Sequence, residues 1–318
     1  MFNFSENPFV LAPMAGVTDK AMRLICRRYG VGLEVTEMVS AKALHYNNKK
    51  SYELFDLVDE EEPIAVQLFG SEPEIMAEGA RLAVAHGAKM LDVNMGCPVP
   101  KVANHGEGSG LLRTPEVAFA IIRAMRAAVD VPLSAKIRIG WEERDPHLAD
   151  FARGLEAAGC DFLAVHGRTR SQYYSGEADW QAIAEVVRAV DIPVLANGDV
   201  VDAQSARAIL ETTGAAGVMV GRGALGRPWL FAELLADWQG QPLPPEPSLA
   251  ERAQVMLDHA ALACRYKGER IAMQEMRKQI GWYVKGLPHA AALRRDACLL
   301  NTYDDLEALL RREGFLPA

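Results

Sequence analysis

The sequence predicts an α/β fold, a (β/α)8 TIM barrel followed by a small C-terminal α-helical domain. Eight short apolar runs alternate with amphipathic, alanine-rich segments over about the first 235 residues, which is the repeat expected of such a barrel. A proline-rich interruption follows, and beyond it the pattern is helical only. A doubly wound sheet is the alternative, but eight strands and no G-x-G-x-x-G motif after the first of them argue against it.

The predicted strands are apolar nearly throughout, as expected of parallel strands that are buried on both faces. They cover residues 9–13, 33–38, 64–69, 90–95, 133–139, 161–166, 192–196 and 217–220. Amphipathic helices are predicted between them, among others over 74–86, 116–128 and 203–211. Several of these helices begin with a capping signal that includes a proline in the first turn, such as Thr114-Pro115.

The boundary between the two predicted domains is the segment 240–248, which has four prolines in nine residues. Such a run continues neither a helix nor a strand, so it is predicted to be a linker. Residues 1–240 then form the barrel domain and residues 249–318 the helical domain. The helices of the second domain are predicted over 249–266, 269–286, 289–298 and 303–313.

The composition is typical of a globular protein and excludes global disorder, with 50% hydrophobic and 24% charged residues in a chain of 318. No apolar run approaches the roughly 20 residues of a membrane span, and no secretory signal is visible. The five cysteines are dispersed, with neither a C-x-x-C motif nor metal-ligand spacing. We therefore expect a cytoplasmic monomer with free thiols, no metal and no membrane partner.

Charge is distributed unevenly along the chain. The net charge of −8 argues against non-specific binding to nucleic acid. Residues 265–295, however, carry eight basic and two acidic side chains, a local balance of +6. This stretch predicts an anion-binding surface on the helical domain, with Arg277, Lys278 and Lys285 as candidate contacts. The alternative is an ordinary solvated helix face.

Polar and small residues collect at the ends of the predicted strands, where TIM barrels hold their reactive groups. Because polar groups among apolar strands are costly to bury without a partner, this clustering predicts a ligand. For any single residue the alternative is that it caps the barrel mouth. The candidates in chain order are Pro13, Met14, Ala15, Gly16, Glu37, Gln67, Asn94, Cys97, Lys136, Arg138, His166, Arg168, Asn197, Gly198, Asp199, Gly221 and Arg222.

The loops after the seventh and eighth predicted strands indicate a phosphorylated ligand. They carry Asn197-Gly198-Asp199 and Gly221-Arg222-Gly223. Loops at these positions often build a phosphate site, because small residues let backbone N–H groups approach the anion. Arg222 adds a guanidinium that suits phosphate. Tight turns alone would explain the glycines but not the arginine.

Lys136 lies inside a predicted barrel strand, where an ammonium is costly unless an anion lies opposite. It is a candidate either for a Schiff base with a carbonyl substrate or for balancing the negative charge of a cofactor. The residues alone leave both roles open.

Cys97 follows the fourth predicted strand between Gly96 and Pro98, which predicts a thiol in a loop at the active face. A thiol is mostly protonated at neutral pH and can serve as an acid. The alternative is a small buried side chain. The following residues 101–110, with three glycines and His105, predict a mobile lid.

Several segments together carry a family resemblance: L-A-P-M-A-G-V-T-D at 11–19, V-Q-L at 66–68, D-V-N-M-G-C-P at 92–98, K-I-R-I-G-W at 136–141, V-H-G-R-T-R at 165–170, I-P-V-L-A-N-G-D at 192–199 and V-G-R at 220–222. The chain resembles the tRNA-dihydrouridine synthases, most closely their bacterial B-type branch. The resemblance implies an FMN-binding barrel and a tRNA-binding helical domain. It also implies an oxidoreductase that reduces the C5=C6 bond of specific uridines in tRNA, with NADPH as the reductant.

The resemblance assigns roles residue by residue. Cys97 is implied as the proton donor. The residues implied to hold FMN are Pro13, Met14, Ala15, Gln67, Lys136, His166, Asn197, Gly198, Asp199, Gly221 and Arg222, with Lys136 on the N1/O2 side of the flavin and the last five at its phosphate. The residues implied to contact the target uracil are Asn94, Arg138 and Tyr174. The resemblance implies that the helical domain binds tRNA, for which the basic stretch 265–295 offers Arg277, Lys278 and Lys285 as candidate RNA contacts.

The segment after Cys97 departs from the family pattern. Asn104 stands where the family usually has a basic residue, and Glu107 and Gly110 replace small alanines. The resemblance therefore implies a lid that is less basic and more flexible than usual.

Two other functions stay open at this point. One is an FMN barrel oxidoreductase that acts on a free pyrimidine or another small enone, although a small substrate does not explain the basic helical domain. The other is a tRNA-binding or chaperone protein without enzymatic activity, for which a ring of flavin ligands has no purpose.

Overall fold

The computed structural model describes residues 3–57 and 62–317. In these residues, parallel strands form one continuous sheet that closes into a barrel. The strands are β1 (Phe9–Leu11), β2 (Leu33–Val35), β3 (Val39–Ser40), β4 (Ile64–Phe69), β5 (Leu91–Met95), β6 (Leu133–Arg138), β7 (Phe162–His166), β8 (Val194–Asn197) and β9 (Gly217–Val220).

The barrel closes because β1 pairs with both β2 and β9, and β2 also pairs with β4. β2 and β3 occupy one barrel position, since both pair with β4. Eight strand positions therefore form the barrel, which confirms the predicted TIM barrel.

The second predicted strand, 33–38, is broken in the structure. Glu34 lies opposite Ile64 in β2, whereas Val39 lies opposite Leu68 in β3, so the chain gains one residue between the two segments. Such a bulge bends a strand and changes where its side chains point. Glu37, inside the bulge, accepts a hydrogen bond from the backbone N–H of Gly16.

Helices alternate with the strands as predicted. They are α1 (Lys20–Arg28), α2 (Ala41–His45), α3 (Lys49–Glu53), α4 (Pro73–Ala85), α5 (Pro100–Ala103), α6 (Pro115–Ala128), α7 (Leu148–Ala158), α8 (Trp180–Ala189), α9 (Ala203–Thr213) and α10 (Leu230–Trp238). Their ends follow from local chemistry. Asp19 caps α1 by accepting from Met22 N at 2.9 Å, and α7 ends at Gly159 in a left-handed conformation.

The interior of the barrel is apolar at one end and polar at the other. Val10, Ala164, Leu195 and Met219 fill the interior together with Phe4 from the N-terminal segment. The carboxyl ends of the strands carry the polar candidates instead. This division leaves the site at the carboxyl ends, as in other barrels of this type.

Residues 241–248 form neither helix nor strand, and four helices follow them. These are α11 (Leu249–Lys267), α12 (Glu269–Tyr283), α13 (Ala290–Ala297) and α14 (Tyr303–Arg312). α12 ends three residues before the predicted end at 286, just before a turn that contains Gly286 at φ +82°.

The four helices share a second apolar core that reaches the barrel. Met256, Met273 and Leu306 pack in this core with Ile25 of α1 and Trp229 before α10. The ammonium of Lys267 adds an ion pair to Asp19 at the start of α1. The helical segment is therefore fixed against the side of the barrel that carries α1. None of the described helices is long and apolar enough to span a bilayer.

Candidate active site

A cavity of about 760 Å³ opens at the carboxyl ends of the barrel strands. Its volume suits a ligand of cofactor size. The structure brings most of the sequence candidates together around it: Pro13, Met14, Ala15, Gln67, Asn94, Cys97, Lys136, Arg138, His166, Tyr174, Asn197, Gly198, Asp199, Gly221, Arg222 and Lys285 line this one cavity.

Lys136 projects from the middle of β6 into the cavity, where its Nζ donates to Asn197 Oδ1 at 3.1 Å. Burial, with the charge of Arg138 as the second cause, lowers the pKa of Lys136 to about 8. The ammonium is thus held close to its point of deprotonation. A negatively charged ligand in the cavity would stabilise the protonated form.

His166 lies at the end of β7 and is almost fully buried. Burial, reinforced by the positive charges of Lys136, Arg138, Arg168 and Arg222, lowers the pKa of His166 well below its usual range. The imidazole is therefore neutral at physiological pH. It offers one N–H and one acceptor to a ligand rather than a charge.

The turn that carries Cys97 is held from both sides. Asn94 Oδ1 accepts from Cys97 N at 2.9 Å, and Ser109 Oγ donates to the Cys97 carbonyl at 2.8 Å. Burial raises the pKa of the Cys97 thiol. The thiol therefore stays protonated at neutral pH, which is the form that a proton donor requires.

The predicted lid is packed against this turn. α5 and the 3-10 helix Gly108–Arg113 order the segment, and the residues from Gly108 to Leu112 are buried. A Cβ at Gly110 would lie 2.5 Å from the Ala103 carbonyl oxygen, and one at Gly108 would lie 3.0 Å from Cys97 Cβ. These two glycines therefore permit close packing of the segment. From the sequence, Gly110 is instead interpreted as a source of flexibility.

A basic corner of the cavity is built on Asp199. Arg168 Nη2 donates to both carboxylate oxygens of Asp199 at 2.7 Å, and Arg222 Nη2 donates to one of them at 3.2 Å. Asp199 itself sits in a left-handed conformation at φ +62°. Its carboxylate is therefore used to hold the two guanidinium groups, so its backbone is what remains to face a ligand.

Arg168 is a residue whose role the sequence did not reveal. It is 1% exposed, lines the cavity, and its Nη1 has no hydrogen-bond partner among the described residues. A Cβ at Gly198 would lie 3.7 Å from that nitrogen. A buried guanidinium nitrogen without a partner is costly, so this corner has room and a donor for an anion. In the sequence, only its position two residues after His166, at the end of a predicted strand, indicated that Arg168 could belong to the site.

Arg138 serves the loops around the cavity. Its Nε donates to the Gly96 carbonyl at 2.8 Å, and its Nη1 donates to the carbonyls of Thr169 at 2.7 Å and Tyr173 at 3.0 Å. Burial lowers the pKa of Arg138 to about 10, so it remains charged at neutral pH. The guanidinium thus ties the Cys97 turn to the loop after β7.

Tyr174 stands at the mouth of the cavity with 51% of its surface exposed. The guanidinium of Arg222 lies 5.0 Å from its ring centre and that of Arg138 lies 5.9 Å from it. An exposed ring close to two cations is suited to stacking against a planar, electron-rich group such as a base.

The three basic candidates of the helical segment differ in their contacts. Lys285 lines the cavity mouth. Lys278 Nζ donates to the Gly16 carbonyl at 2.6 Å. Arg277 donates from Nε and Nη2 to the Leu300 carbonyl at 2.9 and 2.7 Å, which ties α12 to the segment before α14. Lys285 makes no comparable hydrogen bond to another element within the described residues 3–57 and 62–317.

Comparison with known proteins gives a consistent result. A sequence model of the dihydrouridine synthase family matches residues 10–315. The chain is 43% identical over 312 residues to the protein named tRNA-dihydrouridine synthase B of Xanthomonas axonopodis pv. citri, covering 95% of this chain and 93% of the relative. It is also 43% identical over 300 residues to the protein of Synechocystis sp. named probable tRNA-dihydrouridine synthase 1, covering 94% and 84%.

Solved structures share the fold at low sequence identity. The structure described as TcOYE with pHBA superposes with a TM-score of 0.54 at 11% identity, covering 76% of this chain and 91% of the other. At this identity the likeness shows the common barrel and nothing finer.

Proposed function

The chain belongs to the dihydrouridine synthase family, and on that premise we propose that it is a flavin-dependent oxidoreductase that reduces the C5=C6 bond of specific uridines in tRNA. The expected resemblance to the tRNA-dihydrouridine synthases, with relatives that bear the B name, is confirmed. The observation that supports the proposal most directly is the single cavity that holds both the Cys97 thiol and the basic corner of Arg168, Asp199 and Arg222.

We propose FMN as the cofactor and NADPH as the reductant, and the residues present fit an FMN. The unpartnered Nη1 of Arg168, the Arg222 guanidinium and the glycines Gly198 and Gly221 would hold the phosphate. Lys136 would place its charge beside the isoalloxazine ring, with Gln67 and His166 as hydrogen-bonding groups around it. When bound, FMN supplies the hydride that the reduction of uridine requires.

Cys97 is proposed to donate the proton to C5 of the target uridine. Its thiol lines the cavity and is kept protonated by burial. The target base must leave the tRNA fold to reach the thiol, because Cys97 is partly buried in the lining of the cavity. Tyr174, exposed at the mouth and close to two guanidinium groups, is proposed to stack on the entering base, and Asn94 and Arg138 are proposed to hold that base in position.

We propose that residues 1–240 are the catalytic domain, residues 249–318 a tRNA-binding domain and 240–248 the linker between them. The local balance of +6 over 265–295 supports this division of roles, since phosphate contacts position an RNA without selecting its bases. Lys285 would contact the RNA where the base enters the cavity. We also propose that the protein is a cytoplasmic monomer that uses no metal, which is consistent with tRNA as its substrate.

The experiment that tests this function compares substrates. The purified protein is examined for flavin absorption, then incubated with NADPH and either unmodified tRNA or free uridine. We expect a yellow protein that forms dihydrouridine in tRNA and acts far more slowly on free uridine. Equal turnover of the two substrates would favour the small-molecule reductase, and tRNA binding by a colourless, inactive protein would favour a binding protein.

A further inference from the structure

A chain of hydrogen bonds runs from the buried Asp92 to the turn that carries Cys97. Gln67 Nε2 donates to Asp92 Oδ2 at 2.7 Å, and Asn94 Nδ2 donates to Gln67 Oε1 at 2.8 Å. Asn94 Oδ1 then accepts from the backbone N–H of Cys97 at 2.9 Å and from that of Gly96 at 3.3 Å. Asp92 and Gln67 are each 1% exposed, so water does not interrupt the chain at its inner end.

The two ends of this chain fix its direction. An ionised carboxylate only accepts hydrogen bonds, and a backbone N–H only donates them. Gln67 must therefore turn its nitrogen toward Asp92, and Asn94 must turn its oxygen toward Cys97. Reversing either amide would bring two donors or two acceptors face to face. The orientation of both amides follows from the network itself.

The surroundings of Asp92 act on its ionisation in opposite directions. Ser134 Oγ donates to Asp92 Oδ1 at 2.6 Å, so each carboxylate oxygen faces a donor. Burial raises the pKa of Asp92, while these two hydrogen bonds and the charge of Lys136 oppose the rise.

Counting the hydrogen bonds of the Asn94 side chain shows which of its groups can still bind a ligand. Its Oδ1 accepts two N–H groups and is filled, whereas Nδ2 uses one of its two N–H groups on Gln67. Asn94 lines the cavity. Toward a ligand it is therefore a donor and not an acceptor.

We propose that Asp92 is a positioning residue, which fixes the direction of the hydrogen bonds through Gln67 and Asn94 and so holds the Cys97 turn and presents Asn94 to the substrate as a donor. The identity of that substrate rests on the proposed function. A donor matches a carbonyl oxygen such as the one at C4 of uracil. It disfavours cytosine, which carries an amino group at that position.

The test replaces Asp92 by alanine and follows Cys97 as well as activity. Alkylation of Cys97 by iodoacetamide, read by peptide mass spectrometry on the flavin-loaded protein, reports how well the turn is held. We expect alkylation to rise about fivefold or more, because the turn opens more often. We expect kcat on tRNA to fall about tenfold or more, because the thiol is misplaced, with KM for tRNA nearly unchanged.

Ser134→Ala is the matched control, since it removes the other hydrogen bond to the same buried carboxylate and leaves the chain to Cys97 in place. It should lower the melting temperature while Cys97 alkylation and kcat stay near wild type. If Asp92→Ala behaved like Ser134→Ala, with unchanged alkylation and kcat, the positioning role would be wrong.

A second variant, Gln67→Glu, keeps the inference testable if Asp92→Ala does not fold. The introduced carboxyl group can still donate to Asp92 and accept from Asn94 while it is protonated, whereas its ionised form cannot donate. The activity of this variant relative to wild type should fall as the pH rises. A ratio that does not change with pH would overturn the proposal.

A wild-type protein that forms no dihydrouridine would instead contradict the proposed function, while the alkylation comparison would still report on the chain of hydrogen bonds.

Discussion

Lys278 on α12 donates to the carbonyl of Gly16 at 2.6 Å, while the N–H of the same glycine donates to Glu37 in the bulge between β2 and β3. Gly16 directly follows Met14 and Ala15, which line the cavity. Gly16, in the loop 13–17 that lines the cavity, is thus bound by the barrel through its N–H and by the helical segment through its carbonyl. This contact gives the helical segment a means to influence the proposed flavin site.

Lys278→Met should therefore weaken FMN binding as well as any tRNA binding. Gly16 would lose its hydrogen bond to α12, and we expect the Kd for FMN to rise about threefold to tenfold, as for the loss of one charged hydrogen bond at an exposed site. Fluorescence titration of the apoprotein with FMN measures this. Arg270→Met removes the same charge from an exposed position on α12 and should leave the FMN affinity unchanged. Equal effects of the two variants would contradict the proposed support.

Arg168→Lys should also weaken FMN binding. Lysine keeps the charge but loses the planar group that contacts Asp199 with one nitrogen and leaves Nη1 for the phosphate. We expect a loss of about 1.5 kcal/mol or more, roughly tenfold in the Kd for FMN. Riboflavin, which lacks the phosphate, provides the control ligand. If the substitution weakened riboflavin binding as much as FMN binding, the phosphate contact would be wrong.

The pH dependence of FMN affinity should report Lys136. The protonated amine, which predominates below its pKa of about 8, attracts the negatively charged cofactor. Binding of FMN in turn stabilises the protonated form of Lys136. FMN affinity should therefore fall as the pH rises through about 8 in the wild type. In Lys136→Met the affinity should be lower, and this part of the pH dependence should disappear. The same variant should make the flavin midpoint potential more negative, and an unchanged potential would exclude a role beside the ring.

Cys97→Ala should remove the proton donor without removing the cofactor. General acid catalysis typically contributes about 10²–10⁴ in rate, so we expect a loss of that order in dihydrouridine formation, with FMN content unchanged. Cys298 is exposed and lies in the helical segment, so Cys298→Ala should be as active as wild type. Wild-type turnover in the Cys97 variant would refute the assigned acid.

Substitution of Lys285 and of Arg277 should have different effects, because the two side chains have different surroundings. Lys285→Ala should lower tRNA affinity and reduce the slope of log K against log salt by about one, as for the loss of one phosphate contact. Arg277→Ala should mainly lower the melting temperature, because it breaks the tie to Leu300. If Arg277→Ala lowered the salt slope and left the melting temperature unchanged, Arg277 would be a phosphate contact after all.

Much of the fold could be predicted from the sequence, because its signals are local. Apolar runs and capping residues gave the barrel, and the proline run before α11 marked where the helical segment begins. The break between β2 and β3 could not be predicted, since a bulge depends on the register with β4 rather than on the composition of the run. The family resemblance rested on short motifs at strand ends, which fold into one cavity because a parallel barrel aligns those ends.

The candidate site was less predictable where residues far apart in sequence meet. Arg168 and Asp199 are 31 residues apart, and only the neighbouring positions of β7 and β8 bring them together. Arg277 and Lys278 looked alike as basic residues on one helix. Their backbone carbonyl partners lie in other parts of the chain, and no local pattern reveals such contacts.

The central claim is that this chain makes dihydrouridine in tRNA through Cys97. The most direct measurement maps dihydrouridine position by position in tRNA from cells that lack the gene and from the same cells carrying either the wild-type gene or Cys97→Ala. We expect specific positions to lose dihydrouridine without the gene, to regain it with the wild type and to stay unmodified with Cys97→Ala. An unchanged map in cells without the gene, or full restoration by Cys97→Ala, would contradict it.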